Sequence, residues 1–484
     1  MPEKLTYKQT LKMRRNHIGK SCKLHFEVAP LKIVRGSKQY MYDDMGNEFL
    51  DCINNVSHVG HCHPHVVSCG QEQMAQLASS SGFLSEALSM YAKRLIETLP
   101  EELCVCYFVN SGSEANDIAL RLAQAYTGNE DFVVVDHAYH GNISSLINIS
   151  PQKFKKLPNG KKDYVHVVPC PDRYRGVFRD APNAGQLYSN EAKRIMQNVH
   201  ENGRRIAAFV SEPLMSLCGV IVPPENYLRS VYRHVRELGG ICIADEVQVG
   251  LGRVGEHYWS FQAHDVVPDI VTCGKPLGNG HPMAVVVTRK EIAETMPDFC
   301  SSYGGNPVSC AIGLAVLDVI RNEQLMSSAK FVGLTLINGY KAIQPRHPMM
   351  GDVRGVGLII GVEIVTDKES RKPAKEAAEL LAYKMKECKI IIANEGPDKN
   401  VMLMLPPMCF TVDNARQVVQ AFDQCLAEIE AGVNPDSFHS TNGPERVETS
   451  ELTIPLQVVT GGSRLDESDD EDPDGKRARF EDID

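Results

Sequence analysis

The chain has 484 residues, of which 43% are hydrophobic and 23% charged, and it carries a net charge of -10 at pH 7. That length predicts about two packed domains with tails, and the acidic balance excludes the basic excess that a nucleic-acid partner requires. Its 15 cysteines are scattered without the paired spacing of a zinc site or a secreted disulfide framework. No apolar run reaches the ~20 residues of a membrane helix, so a soluble, intracellular protein with no membrane partner is predicted. Lys12, Arg14 and Arg15 near the start, with Glu3 before them, leave a mitochondrial matrix or a cytoplasmic location open.

Residues 1–80 alternate short strand-like runs (39–42) with turns such as Met45-Gly46-Asn47, as an N-terminal segment folding onto a larger body does. Across 81–325, apolar strand candidates (132–135, 206–210, 241–244, 284–287) alternate with helical periodicity, which predicts α/β architecture around a mainly parallel sheet. In the helix near Ala115, residues Ala115, Ile118, Ala119, Leu122, Ala123 and Tyr126 build one apolar stripe. Its polar N-terminus is left free for a ligand. Residues 326–432 read as helix, strand (357–364), helix (375–386), strand (401–405) and a final helix from Asn414, a smaller α+β domain. Past 433 the periodicity stops. The acidic run 466–474 and the cluster Lys476-Arg477-Ala478-Arg479 predict a disordered acidic tail, with Ser468 placed as an acid-directed kinase would need it.

Four segments carry chemistry. Asn110-Ser111-Gly112-Ser113-Glu114-Ala115-Asn116 lies between an apolar strand and the amphipathic helix. Its small residues open a helix whose unpaired N–H groups and dipole suit an anion; a simple helix cap is the alternative. Asp136-His137-Ala138-Tyr139-His140-Gly141 follows a strand directly, so Tyr139 either packs on the core or lies against a planar ligand. In Ile243-Ala244-Asp245-Glu246-Val247-Gln248-Val249-Gly250 a strand ends in a carboxylate, where ligands of open α/β sheets gather. Asp245 there caps the turn or partners a ring nitrogen. Finally, Thr272-Cys273-Gly274-Lys275-Pro276-Leu277-Gly278 puts a lysine just past an apolar strand. A partly desolvated pocket at such a strand end would let Lys275 shed its proton and form an imine.

In this order and spacing the segments resemble the class III pyridoxal phosphate-dependent aminotransferases, over roughly residues 20–430. The wording Asn54-Asn55-Val56 with Gly60-His61-Cys62-His63-Pro64, Tyr303-Gly304-Gly305-Asn306-Pro307 and Pro406-Pro407-Met408-Cys409-Phe410 is similar to a narrower branch, the amine phospho-lyases and their alanine-glyoxylate aminotransferase 2-like relatives. The resemblance implies a fold-type I homodimer with pyridoxal 5'-phosphate. It implies that Lys275 holds the cofactor as an imine, Asp245 pairs with the pyridine nitrogen and Gln248 reaches the ring hydroxyl. Ser111, Gly112 and Ser113 would hold the phosphate, Tyr139 would stack on the ring, and Ser302 would reach the phosphate from the partner subunit.

The implied activity is elimination of phosphate and ammonia from a small phosphorylated amine, 5-phosphohydroxy-L-lysine first and O-phosphoethanolamine next, with residues 411–419 leaning toward the former. Transamination to glyoxylate or pyruvate is the second expectation, and an inactive scaffold the third. Two departures bear on the choice. Leu403 and Leu405 stand before the Pro-Pro, where the family has an arginine and the phospho-lyase branch lysines. Gly82 stands where that branch has an arginine. Arg354 is the candidate replacement for a carboxylate clamp.

Overall fold

The computed structural model describes residues 5–432; the expected acidic tail, with Ser468 and the cluster 476–479, lies outside the described residues. A seven-stranded sheet forms the centre, in the order Val105–Val109, Ala284–Thr288, Ile270–Cys273, Ile241–Asp245, Ile206–Ser211, Asp131–Val135, Val165–Val168. Every residue of Ile206–Ser211, Ile241–Asp245 and Ala284–Thr288 is buried. This is why they read as continuous Val, Ile and Ala rather than as an alternating pattern: both faces of the sheet are covered.

The sheet is mainly parallel, as expected, and residues 284–287 form its antiparallel exception. Ala284–Thr288 runs against both of its neighbours, whereas the remaining pairs are parallel. The physical reason is the short connection from Ile270–Cys273, a single 3-10 turn over Lys275–Gly278. A parallel return needs a crossover of a dozen residues or more.

The helix Gly112–Thr127 starts on Ser111, whose side chain accepts from the Glu114 N–H, and stops at Gly128, which takes the left-handed conformation at φ 69. It buries Ala115, Ile118, Ala119, Leu122 and Ala123 against the sheet, together with Asn116 and Leu120. Tyr126, assigned to the same stripe, is 42% exposed, because it falls in the last turn before the Gly128 cap, beyond the packed stretch.

Residues 350–404 supply a four-stranded antiparallel sheet in the order Met350–Val356, Ile359–Ile364, Val401–Met404, Ala393–Glu395. The helices Leu325–Ile343, Lys375–Glu387 and Val412–Glu430 pack with it. The N-terminal segment does not stand alone. Its strands Ile33–Ser37, Tyr40–Asp43 and Glu48–Asp51 are completed by Ile390–Ile391, which pairs in parallel with Leu50 and Asp51. One sheet therefore joins the N-terminal segment to the 326–432 part of the chain. Among the described residues, no helix is long and apolar enough to cross a membrane.

Gly333, on the helix Leu325–Ile343, lets that helix touch the turn at Gly357: an added Cβ would lie 2.0 Å from the Gly357 carbonyl oxygen. Gly333→Ala is expected to cost about 1–3 kcal/mol through this overpacking. Urea unfolding followed by circular dichroism measures it, and an unchanged midpoint would show that the turn yields freely.

Candidate active site

Three parallel strands deliver the site. Asp245 is the last residue of Ile241–Asp245, Lys275 follows Ile270–Cys273, and Tyr139 and His140 follow Asp131–Val135. The helix start at Gly112 meets them. A Cβ on Gly112 would lie 2.7 Å from Val247 Cγ1, and one on Gly274 would lie 3.3 Å from the Gly112 nitrogen. The lysine loop thus meets the helix N-terminus backbone to backbone, and the Val247 side chain of the carboxylate turn closes against Gly112, where an added Cβ does not fit.

Asp245 is 3% exposed and its carboxylate is held by three donors. Oδ2 accepts from Asn116 Nδ2 at 2.8 Å and from His140 Nδ1 at 2.8 Å, and Oδ1 accepts from the Val247 N–H at 3.1 Å. Asn116 is oriented in turn by Thr272 Oγ1, which donates to its Oδ1 at 2.6 Å, while its own Nδ2 also reaches the His140 carbonyl at 2.7 Å. A carboxylate oxygen has two acceptor positions. Oδ1, with a single donor, keeps one for a further N–H.

Lys275 is largely buried, and desolvation, aided by the Arg253 charge, pulls its ammonium down to about 8 against the opposing pull of Asp245 and Glu212. Among the described residues it has no hydrogen-bond or ion-pair partner. About a tenth of such an amine is neutral at pH 7, compared with well under a thousandth of an ordinary lysine. Glu212, fully buried at the end of Ile206–Ser211, is pushed up to about 7 by desolvation and then by the Asp245 charge. Its Oε2 accepts from the Ser216 N–H at 3.1 Å, whereas its Oε1 has no partner among the described residues.

The other expected site residues divide into those gathered here and those held elsewhere. Gln248 is buried and its Oε1 accepts from Asn55 Nδ2 at 2.7 Å, so the unusual Asn54-Asn55 loop is what fixes the carboxamide. Ser113 Oγ accepts from the Asn142 N–H at 3.2 Å, joining the helix start to the Tyr139 loop. Ser111 Oγ is engaged as the helix cap, donating to Glu114 Oε1 at 3.0 Å and accepting from the Glu114 N–H at 3.2 Å. Tyr139 is half-buried, its hydroxyl pushed up by desolvation and by Asp245, with Lys153 Nζ 5.1 Å from its ring centroid. Ser302 is exposed.

Arg354 is not free. Its guanidinium is buried against Glu363 at 2.6 Å and Asp352 at 2.8 Å, and it donates to the carbonyls of Gly219 and Val220. Leu403 and Leu405 lie in an apolar cluster with Leu214, Val220, Val249 and Ile359. Gly82 is exposed at φ 79 with nothing near its missing side chain.

Sequence reasoning missed Asn116, His140, Thr272 and Glu212 as parts of the site. The available signal was Asn116, a polar residue on the apolar face of its helix, where only a specific partner justifies burial.

This arrangement fits pyridoxal phosphate. The N–H groups of Gly112 and Ser113, at the positive end of a helix and without partners among the described residues, suit a phosphate. The open acceptor of Asp245 suits a pyridinium N–H, and the partly neutral Lys275 amine suits an aldehyde. Fold and site together define a pyridoxal phosphate enzyme of fold type I.

The comparisons make the class specific. The model of the class III aminotransferases matches residues 25–426, and the chain belongs to that family. It is 48% identical over 478 residues to "Alanine--glyoxylate aminotransferase 2-like" of Drosophila melanogaster, covering 96% of this chain and 97% of the relative. To "Ethanolamine-phosphate phospho-lyase homolog 1" of Caenorhabditis elegans it is 41% identical, covering 86% and 93%. Among solved structures it superposes on a phospholyase from Arthrobacter in complex with phosphoethanolamine at a TM-score of 0.83 and 34% identity, covering 86% of this chain and 99% of that one.

In cofactor-free protein, acylation of Lys275 by a small amine-directed reagent is expected to rise as pH passes through about 8, well below the 10.5 of a solvated lysine. Asp245→Asn removes the principal charge favouring the ammonium and is expected to move that midpoint lower still. Peptide mapping of labelled Lys275 across pH 6–11 reads both, and a midpoint near the solvated value would refute the desolvated site.

Proposed function

We propose that the protein is a pyridoxal phosphate-dependent phospho-lyase that removes phosphate and ammonia from a vicinal phospho-amine. The preferred substrate is 5-phosphohydroxy-L-lysine, giving 2-aminoadipate semialdehyde; O-phosphoethanolamine, giving acetaldehyde, comes next. The observation that carries this reading is the state of the cations a transaminase would use. A keto acid needs an arginine to clamp its carboxylate bidentately. Leu403 and Leu405 fill the expected positions within an apolar cluster, and the candidate substitute Arg354 is consumed by Glu363, Asp352 and two carbonyls. Elimination requires no keto acid. The similarity to a phospho-lyase homolog and to a phosphoethanolamine-bound phospholyase supports the same side.

When bound, pyridoxal phosphate supplies a conjugated ring that takes up the electron pair left on the amine-bearing carbon. Lys275 would move the proton: its amine, already partly neutral near pH 7, accepts from that carbon. Asp245, fixed by Asn116, His140 and the Val247 N–H, would hold the ring's N–H. Gln248, braced by Asn55, would donate to the ring oxygen, and Gly112 and Ser113 would anchor the phosphate. The carbon–oxygen bond to the substrate phosphate then breaks with its electron pair leaving on phosphate. The unsaturated amine that remains hydrolyses to ammonia and an aldehyde.

The working unit in this reading is a homodimer. Phe83 (81% exposed) and Leu84 precede the helix Glu86–Ile96, whose Leu88 lies against Gly305, and Tyr303 (70% exposed) follows Ser302 in the loop that leads to Gly305. Apolar side chains so exposed favour a second copy as cover. Ser302 would then reach the partner's cofactor phosphate. A specific observation favours a second reading, transamination: Gly82, Leu403 and Leu405 also remove the cations expected for a substrate phosphate.

Purified enzyme incubated with each phospho-amine, without keto acid, is expected to release inorganic phosphate and ammonia in equal amounts, and Lys275→Ala to release neither. Amino transfer that appears only when glyoxylate or pyruvate is added would overturn the lyase and establish the transaminase.

A further inference from the structure

Two cysteines that the catalytic site does not use stand sulfur to sulfur across a helix pair. Cys388 caps the C-terminus of the helix Lys375–Glu387, and Cys425 lies in the helix Val412–Glu430, with their Sγ atoms 3.7 Å apart. The contact is built rather than incidental. Lys384, one turn before Cys388, pairs at 2.7 Å with Glu428, nearly one turn after Cys425. The two antiparallel helices are thereby held in the register that sets the thiols opposite each other. Cys388 is exposed and Cys425 buried, so a reagent in solvent meets the first and not the second. Burial also pushes the Cys425 thiol up, which keeps it a quiet partner until its neighbour is activated.

We propose that Cys388 and Cys425 form a reversible dithiol–disulfide pair, a modification site for peroxide-class oxidants. The Cys388 sulfur attacks one peroxide oxygen; the O–O bond breaks, sulfur is oxidised by two electrons to the sulfenic acid, and water or alcohol leaves. Cys425 sulfur then attacks the sulfenic sulfur, the S–O bond breaks, and the departing hydroxyl takes the Cys425 proton as water. From 3.7 Å the sulfurs must close by about 1.7 Å to reach bonding distance. The helix-capping position of Cys388, beside Lys389 in the left-handed region at φ 61, is the end of the pair at which such a shift involves the least packed structure.

The link would close a loop of the chain that contains both Ile390–Ile391, the strand completing the N-terminal sheet, and Val401–Met404, the strand leading to Leu405. Oxidation therefore ties together the segment that carries both strands and Leu405. This inference does not depend on whether the enzyme is a lyase or a transaminase.

The test uses full-length holoenzyme treated with a small excess of hydrogen peroxide, blocked with an alkylating reagent, digested without reductant and mapped by mass spectrometry. The expected product is a peptide bearing Cys388 joined to one bearing Cys425, lost on treatment with dithiothreitol. In Cys425→Ser the same treatment should leave Cys388 as a dimedone-trapped sulfenic acid. Cys388→Ser, at an exposed position, should leave Cys425 fully alkylatable after unfolding. Cys388 that over-oxidises, stays reduced or joins another cysteine in the unmutated protein, while Cys425 remains a free thiol, would overturn the proposal.

Discussion

Removing the Asp245 carboxylate from water would cost several kcal/mol if nothing replaced its hydration. Its three donors come from three places: Asn116 on a helix, His140 on the loop after Asp131–Val135, two strands away in the sheet, and the Val247 N–H of its own turn. These partners hold together only if the helix Gly112–Thr127 crosses the sheet at one position and the parallel strands stop level with each other. The carboxylate therefore fixes the local geometry as much as the fold fixes the carboxylate. Thr272 extends the constraint to the strand that carries Lys275, through its bond to Asn116.

Around that carboxylate the site divides its charges by burial. Lys275 and Glu212 are both removed from solvent and both drawn toward their neutral forms, to about 8 and about 7 respectively. Proton movement near neutral pH is then inexpensive on either group, which a water-exposed lysine or glutamate would not permit. Arg253 stays structural: it is buried and donates to the carbonyls of Leu358 and Pro406. It contributes to the site through its charge, lowering Lys275 at a distance. The same residue fastens the Pro-Pro turn next to Leu405, so the smaller sheet and the loop after Asp245 share an anchor.

Leu403 and Leu405 are buried with Leu214 and Val249 in an apolar cluster that holds no cation, and Arg354 shows how an arginine in a sequence is committed once Glu363 lies opposite it. A carboxylate clamp requires an arginine whose partners are missing until substrate arrives. Here they are already present.

The sequence by itself determined the α/β class, the strand ends bearing Asp245 and Lys275, and the helix opening at Gly112, because each is written in contiguous residues. A buried strand, a turn and a helix cap are local patterns. Tertiary structure alone decided the rest. The Asn116–Asp245–His140 network joins residues 24 to 129 positions apart, and Asn55 reaches Gln248 across 193. The capture of Arg354, the joining of the first strands to Ile390–Ile391, the reversal of Ala284–Thr288 and the meeting of Cys388 with Cys425 are likewise matters of which surfaces face each other. Periodicity along a chain encodes which face of an element is buried, but not the partner buried against it.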